Sequence, residues 1–260
     1  MKPFEKGIYL LPNLMTTTAL FAGFYAVIAG INGQYELGAI AIFIAMFFDG
    51  LDGRIARMTN SCSAFGAEYD SLADMISFGL APALLMYQWA LHDFDKLGWV
   101  VAFIYTVAAA LRLARFNTQV GTADKRYFQG LPSPVAAALL ASFIWMIETN
   151  NIDTGLEGYL ALFFTLMTGL MMVSNIRFES FKEFSLKNKI PFVTLLIIVL
   201  TISIIALKPA LILFVALLAY TFSGLIMTLV LLQKKRSSRK EKLVKKAAKK
   251  IKNNAEENDK

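Results

Sequence analysis

Residues 49–57 read DGLDGRIAR and residues 66–74 read GAEYDSLAD, in a chain whose other long segments are almost entirely apolar. Each carboxylate at the centre of a membrane helix costs about 2.5–3.5 kcal/mol, so several of them need compensation from metal ions, partner charges or water. These segments therefore indicate a functional site inside a helical membrane protein. Its candidate acids are Asp49, Asp52, Asp70 and Asp74.

The spacing of these aspartates lets them converge if their two helices pack side by side. Asp49 and Asp52 are three residues apart and Asp70 and Asp74 are four apart, so each pair lies on one face of its helix. Small residues beside the acids would let the two helices pack closely. These small residues are Gly50, Gly53, Ala56, Gly66, Ala67 and Ala73.

A site made only of carboxylate oxygens suits a hard divalent cation, Mg²⁺ or Mn²⁺, rather than zinc. Two such ions about 3.5–4 Å apart would suit displacement at phosphorus, because they clamp the oxygens that gain charge. The structural alternative is a charge-paired helix pair in which Arg54 and Arg57 are the counter-ions. Ionisable groups inside a membrane are usually functional, which favours the metal site.

The composition predicts an all-α, polytopic transmembrane helix bundle. Of the 260 residues, 57% are hydrophobic and 17% are charged, and the single cysteine, Cys62, excludes an intramolecular disulfide. Residues 10–233 would form one transmembrane domain, after an interfacial segment at 1–9 and before a basic cytoplasmic tail at 234–260. About eight spans are expected, near 10–31, 36–58, 65–91, 97–117, 133–148, 156–175, 190–207 and 209–233.

The charge distribution predicts the orientation of the chain. With eight spans and the N-terminus inside, only Lys96 and Lys208 among the basic residues fall outside, so both termini and the turn at 59–64 are expected in the cytoplasm. The net charge of +7 is concentrated after residue 233. This tail is either a basic amphipathic helix on an anionic membrane surface or solvated and disordered, and no nucleic-acid partner is predicted.

Polar residues on other helices are candidates for substrate binding. Arg112, Arg115 and Asn117 end the predicted fourth span, where the two arginines either snorkel and complement the helix dipole or form an anion site. Asn13 follows Pro12 at the start of the first span and either caps the helix or contacts a substrate. The run GLPSP at 130–134 either lines the same cavity or simply starts the fifth span.

The acidic segments carry a family resemblance. The pattern Asp-x2-Asp-Gly-x2-Ala-Arg-x8-Gly-x3-Asp-x3-Asp resembles the signature of the CDP-alcohol phosphotransferase family. The resemblance implies that Asp49, Asp52 and Asp70 bind two divalent ions and that Asp74, which belongs to the same acidic site, is the catalytic base. The residues that it implies for the pocket of the cytidine-diphosphate donor are Gly53, Ala56, Arg57 and Gly66, with Asn13 as a further candidate.

Three further runs narrow the resemblance. Residues 71–83 (SLADMISFGLAPA), the run LRLARFN at 111–117 and GLPSP at 130–134 are similar to the membrane-integral phosphatidylserine synthase family. This resemblance implies transfer of a phosphatidyl group from the membrane lipid CDP-diacylglycerol to L-serine, with Arg112, Arg115 and Asn117 at the acceptor. It also implies a homodimer in the cell (inner) membrane. Another acceptor, such as glycerol 3-phosphate or inositol phosphate, and an ion-coupled transporter remain the alternatives.

Overall fold

The computed structural model describes residues 10–118, 127–153, 155–179 and 206–228, together with the single positions 196, 200 and 203. The predictions for the N-terminal segment 1–9, for most of the span at 190–207 and for the tail at 234–260 lie outside these residues. The predictions for the acidic segments, the arginine pair and Asn13 all fall within them.

The architecture is helical, as the composition predicts. Two very short antiparallel strands, β1 (Tyr127–Gln129) and β2 (Arg177–Glu179), pair with each other beside the bundle. A π-helical turn (Met75–Leu80) divides the predicted third span, and a 3₁₀ turn (Leu91–Phe94) begins at its last residue. The α-helices are α1 (Leu10–Ile31), α2 (Tyr35–Met58), α3 (Ala64–Asp74), α4 (Ala81–Trp89), α5 (Asp95–Thr118), α6 (Ser133–Asn150), α7 (Glu157–Val173) and α8 (Pro209–Thr228).

Three of the described helical segments are long and apolar enough to cross a membrane: Leu10–Ile31, Leu91–Thr118 and Pro209–Thr228. Helix α2 has 24 residues, but five of them are charged, which lowers its hydropathy. Helix α7 is apolar but has only 17 residues. The protein is therefore a helical membrane protein, and the count of about eight spans stays a prediction from the sequence.

The bundle interior contains many alanines together with large aromatic side chains. The rings of Phe143, Phe164 and Phe214 have centroids 5.0–5.6 Å apart and join α6, α7 and α8. Gly169 of α7 lies against Tyr105 of α5, where an added Cβ would be 3.2 Å from the Tyr105 Cα atom. Close packing of this kind holds membrane helices together, because lipid offers no hydrophobic driving force between them.

Helix α1 packs against both acid-bearing helices, α2 and α3, whereas direct contact between α2 and α3 is slight. The predicted close packing through Gly50 and Gly53 is therefore wrong. A Cβ added at either glycine would meet no atom of the described residues within 4 Å, because α1 rather than α3 supplies the main packing surface for α2. Gly66 does lie in a close contact, with Asn13 of α1.

The π-helical turn follows Asp74 directly and is held from two sides. The buried Tyr105 hydroxyl donates a hydrogen bond to the Phe78 carbonyl oxygen at 3.1 Å, and the Ser77 hydroxyl donates to the Ala19 carbonyl oxygen at 3.2 Å. A π turn changes which backbone carbonyls are paired, and such turns are frequent at functional sites. The turn thus fixes the end of α3 that carries the last acid of the motif.

Candidate active site

Three of the four predicted acids come together between α2 and α3. One carboxylate oxygen from each of Asp49, Asp70 and Asp74 lies within 4.8 Å of the other two, and we call these three residues the aspartate cluster. Ser63 caps the N-terminus of α3 by accepting a hydrogen bond from the Gly66 amide at 3.0 Å. The convergence predicted from the spacing is confirmed for these three residues.

Asp52 has a different environment. Asp52 is buried, with a relative exposure of 5%, and the Thr16 hydroxyl donates to its Oδ2 atom at 2.6 Å. Asp52 is near enough to Asp49 and Asp70 to interact with them electrostatically, although it is not a member of the aspartate cluster. Thr16 was not predicted as a site residue, because no spacing in the sequence relates it to Asp52.

The carboxylates of the four aspartates form no direct ion pair among the described residues. Within the part of the chain that the structure describes, none of the four aspartates forms an ion pair with a lysine or arginine, and Asp70 Oδ1 is buried without a hydrogen-bond partner. Arg57 instead donates from Nε to the Gly53 carbonyl oxygen at 2.8 Å, along its own helix. A charge-paired structural site with Arg54 and Arg57 as counter-ions therefore has no support.

These features fit a site for divalent cations. The donors are all carboxylate oxygens, three of them converge, and one buried oxygen has no partner among the described residues. Mg²⁺ and Mn²⁺ prefer such oxygen ligands. Asp49, Asp70 and Asp74 are the residues best placed to hold an ion, with Asp52 beside them.

Arg112 connects the aspartate cluster to α6. Its Nη1 atom donates to the Ser133 hydroxyl at 2.7 Å, and it interacts electrostatically with Asp74. Arg112 Nε and Arg115 Nη1 are buried and have no hydrogen-bond partner in the described part of the chain. Arginines that snorkel would place these nitrogens in water. Their burial therefore favours an anion site over arginines that only snorkel and complement the helix dipole.

The other predicted residues surround this centre. Asn13 Oδ1 is 3.4 Å from the position of a Cβ added at Gly66, so these two predicted donor-binding residues lie together. The Asn117 side chain donates to the Ser71 hydroxyl at 3.0 Å, next to Asp70. Gly53 and Arg57 are exposed and Ala56 is partly buried, all on α2 beyond Asp52.

Comparison with known proteins agrees with this geometry. Residues 9–176 match the CDP-alcohol phosphatidyltransferase family, a range that contains all the acids and both arginines. The chain belongs to this family. It is therefore a membrane transferase of phospholipid biosynthesis, and the transporter alternative is set aside.

Curated relatives cover most of this CDP-alcohol phosphatidyltransferase. A CDP-diacylglycerol–serine O-phosphatidyltransferase of Helicobacter pylori is 34% identical over 227 residues, which cover 87% of this chain and 94% of the relative. A protein of the same name from Mycobacterium tuberculosis is 31% identical, covering 82% and 76% of the two chains. An archaetidylserine synthase of Methanothermobacter thermautotrophicus is 34% identical over 65% of this chain and 69% of the relative.

A solved structure has the same fold. The crystal structure of the Mycobacterium tuberculosis phosphatidylinositol phosphate synthase with CDP-DAG bound superposes with a TM-score of 0.52. The match covers 66% of this chain and 88% of that one at 18% identity. At this identity the likeness supports the helical fold of the family, and it says nothing about the acceptor alcohol.

Proposed function

We propose that this CDP-alcohol phosphatidyltransferase transfers a phosphatidyl group from CDP-diacylglycerol to L-serine, giving phosphatidylserine and CMP. One observation carries the proposal: three carboxylates converge within 4.8 Å, and one of them, Asp74, interacts electrostatically with the partly buried Arg112. Curated relatives named for the serine reaction support the choice of acceptor over most of the chain length.

The donor would bind between α1, α2 and α3. Gly53, Ala56 and Arg57 lie on α2 beyond Asp52, and the Asn13–Gly66 contact lies on the facing helices. Asp49, Asp52, Asp70 and Asp74 would hold the divalent ions. When bound, two Mg²⁺ or Mn²⁺ ions would neutralise the diphosphate of the donor and make CMP a better leaving group.

The acceptor would bind beside the arginines. A guanidinium group binds a carboxylate through paired N–H donors, and Arg112 and Arg115 both have buried nitrogen atoms free of protein partners in the described residues. Ser133 holds Nη1 of Arg112 and so limits the directions that its other donors can take. The serine carboxylate would then distinguish L-serine from alcohols that carry no anionic group, and Asn117 at the end of α5 would complete the acceptor pocket.

Asp74 would act as the catalytic base. The serine hydroxyl oxygen attacks the phosphorus on the lipid side, the bond from that phosphorus to the CMP oxygen breaks, and CMP leaves with the electron pair. Asp74 takes the hydroxyl proton as the new bond forms. A carboxylate is a weak base for an alcohol, so proton transfer must be late and coupled to attack.

We also infer a multi-pass arrangement in which the site opens to the cytoplasm of the cell. The basic residues near the 59–64 turn and the basic tail support this orientation through the positive-inside rule. L-Serine and CMP would exchange with the cytosol, while the acyl chains of the donor stay in the bilayer. A homodimer is proposed by analogy with the family.

Release of CMP by the purified protein tests the acceptor. The assay would contain CDP-diacylglycerol, Mn²⁺ or Mg²⁺, and either L-serine, glycerol 3-phosphate or inositol phosphate. We expect CMP release with L-serine and its loss when a chelator is added. Release with a phosphate-bearing acceptor alone would keep the family chemistry and refute the assignment of the arginines to the serine carboxylate.

A further inference from the structure

Thr16 of α1 makes a contact that the proposed chemistry does not use. Its hydroxyl lies 2.6 Å from Asp52 Oδ2 and 3.2 Å from the carbonyl oxygen of Pro12, one turn earlier in α1. A hydroxyl has only one proton to donate, and 2.6 Å is typical of a hydrogen bond to an ionised carboxylate. The Thr16 hydroxyl therefore donates its hydrogen bond to Asp52 rather than to the Pro12 carbonyl oxygen.

The neighbouring threonines show the ordinary alternative. Thr18 donates to the Leu14 carbonyl oxygen at 2.8 Å, which is the usual bond of a threonine within its own helix. Thr17 donates in the same way to Asn13, at 2.7 Å. Thr16 is 96% buried, with a relative exposure of 4%, and is directed to another helix instead.

This contact is made to Asp52, the one of the four motif aspartates that lies outside the aspartate cluster. Asp52 is also 95% buried, with a relative exposure of 5%, so its carboxylate has little room to reorient. A hydrogen bond to one oxygen fixes the direction of the whole carboxylate. Residues that hydrogen-bond to a metal ligand in this way tune metal affinity, because they hold the ligand in place before the ion arrives.

The same part of α1 also holds α3. The Thr17 hydroxyl lies 2.9 Å from the Tyr69 hydroxyl, next to Asp70, and Asn13 lies against Gly66. Helix α1 thus contacts both acid-bearing helices within about one turn, while those two helices touch each other little. The relative position of the two acid pairs depends on α1.

We propose that Thr16 is a positioning residue for the divalent-cation site. It orients Asp52 on α2, and through it α1 sets the geometry between Asp52 and the aspartate cluster. This inference rests on the metal dependence in the proposed function, but it does not depend on which alcohol is the acceptor.

Direct Mn²⁺ binding tests the inference without any substrate. Free Mn²⁺ would be followed by electron paramagnetic resonance during titration of the purified full-length protein in detergent. We expect Thr16→Val to raise the dissociation constant about tenfold, the lower end of the range for a lost partner of a metal ligand. Thr16→Ser keeps the hydroxyl and should bind Mn²⁺ like the wild type.

Thr18→Val is the matched control, because it removes a hydroxyl that bonds only within α1. Equal weakening by Thr18→Val and Thr16→Val would overturn the inference, and so would wild-type affinity in Thr16→Val. If Thr16→Val does not fold, as judged by thermal unfolding in chelator, Thr16→Cys replaces it and should show an intermediate affinity. A wild-type protein that binds no Mn²⁺ would instead refute the metal site of the proposed function as well.

Discussion

Asp74 occupies the position where the acidic and basic parts of the site meet. It belongs to the aspartate cluster and interacts electrostatically with Arg112 on α5. It also precedes the π-helical turn, in which the Phe78 carbonyl oxygen accepts a hydrogen bond from the Tyr105 hydroxyl. Its carboxylate is therefore next to the arginine proposed to bind the acceptor, which is where a base for the acceptor hydroxyl is needed.

Asp74→Asn should abolish most of the turnover while the donor still binds, because the other three aspartates remain to hold the ions. A positioned base contributes about 10²- to 10⁴-fold to rate, and the amide cannot accept the proton in the same way. CMP release measures turnover, and competition with a labelled CDP-diacylglycerol measures donor binding. Asp93→Asn is the control. Its side chain is 74% exposed, and Asp93 lies in the 3₁₀ turn at Leu91–Phe94, beyond the end of α4 that is farther along the chain from Asp74. A near-normal rate in Asp74→Asn would remove Asp74 as the base.

Ser133→Ala should raise the KM for L-serine more than the KM for CDP-diacylglycerol. The substitution removes the hydroxyl that accepts from Arg112 Nη1, and one such bond corresponds to about a threefold to tenfold change. Ser142→Ala is the matched control on α6, because the buried Ser142 hydroxyl bonds only to the Leu139 carbonyl oxygen. Equal effects of both variants on the two KM values would contradict the role of Ser133.

At the residue scale the sequence predicts the acids better than the residues that hold them. The four-residue spacing places Asp70 and Asp74 on one face of α3, because helical periodicity fixes which residues of one helix share a face, and both belong to the aspartate cluster. Thr16 lies 36 residues before Asp52, and no periodicity relates positions on different helices. Such contacts depend on how helices pack, which a single sequence does not specify.

At the scale of elements, α1 and the π-helical turn form the frame of the site. Gly23 of α1 lies directly against this turn, because a Cβ added there would be 2.6 Å from the Ser77 hydroxyl and 2.7 Å from the Ser77 Cα atom. Two elements this close leave no room for an added methyl group. The contact fixes the position along α1 that packs beside the end of α3.

Gly23→Ala should therefore destabilise the protein by about 1–3 kcal/mol, the usual cost of overpacking, and lower its thermal unfolding midpoint. Thermal unfolding in detergent measures the change. Gly50→Ala is the control, since a Cβ at Gly50 meets no atom within 4 Å. There the substitution should be neutral or stabilising by up to about 1 kcal/mol, because alanine favours the helix. A Gly23→Ala protein as stable as wild type would show that α1 and the turn can move apart freely.

The sequence predicts where helices lie but not the irregular turns between and within them. The predicted third span at 65–91 is continuous in hydrophobicity, yet the π turn at Met75–Leu80 interrupts it, and a 3₁₀ turn at Leu91–Phe94 follows its end. Hydrophobicity does not distinguish one helical hydrogen-bonding pattern from another. Small residues were also ambiguous: Gly66 packs against α1, whereas Gly50 and Gly53 remain open.

At the scale of the whole molecule, all candidate site residues lie near one end of the helices. The turn between α2 and α3 contains Cys62, the only cysteine in the chain, and it is exposed. It reports directly on the side of the membrane to which this end faces.

A membrane-impermeant maleimide should label Cys62 in inside-out membrane vesicles and leave it unlabelled in intact cells. The proposed cytoplasmic orientation makes the turn accessible only from the inside. Mass spectrometry of the purified protein measures labelling, and Cys62→Ser gives the background. Labelling in intact cells alone would reverse the orientation and place the acceptor site on the outer face.

The helical class and the membrane character follow from composition, because 57% hydrophobic residues in long runs leave few alternatives. The number of spans does not follow as securely. Helix α2 contains five charged residues, which lower its hydropathy, so its place among the spans stays a prediction from the sequence.

The most direct test of the central claim is the fate of the serine oxygen. The purified protein would receive CDP-diacylglycerol, Mn²⁺ and L-serine labelled with ¹⁸O in its hydroxyl group, and mass spectrometry would analyse both products. We predict phosphatidylserine that retains the ¹⁸O between serine and phosphorus, together with unlabelled CMP. Unlabelled phosphatidylserine, or CMP release without any serine-containing lipid, would contradict attack by the serine hydroxyl at this site.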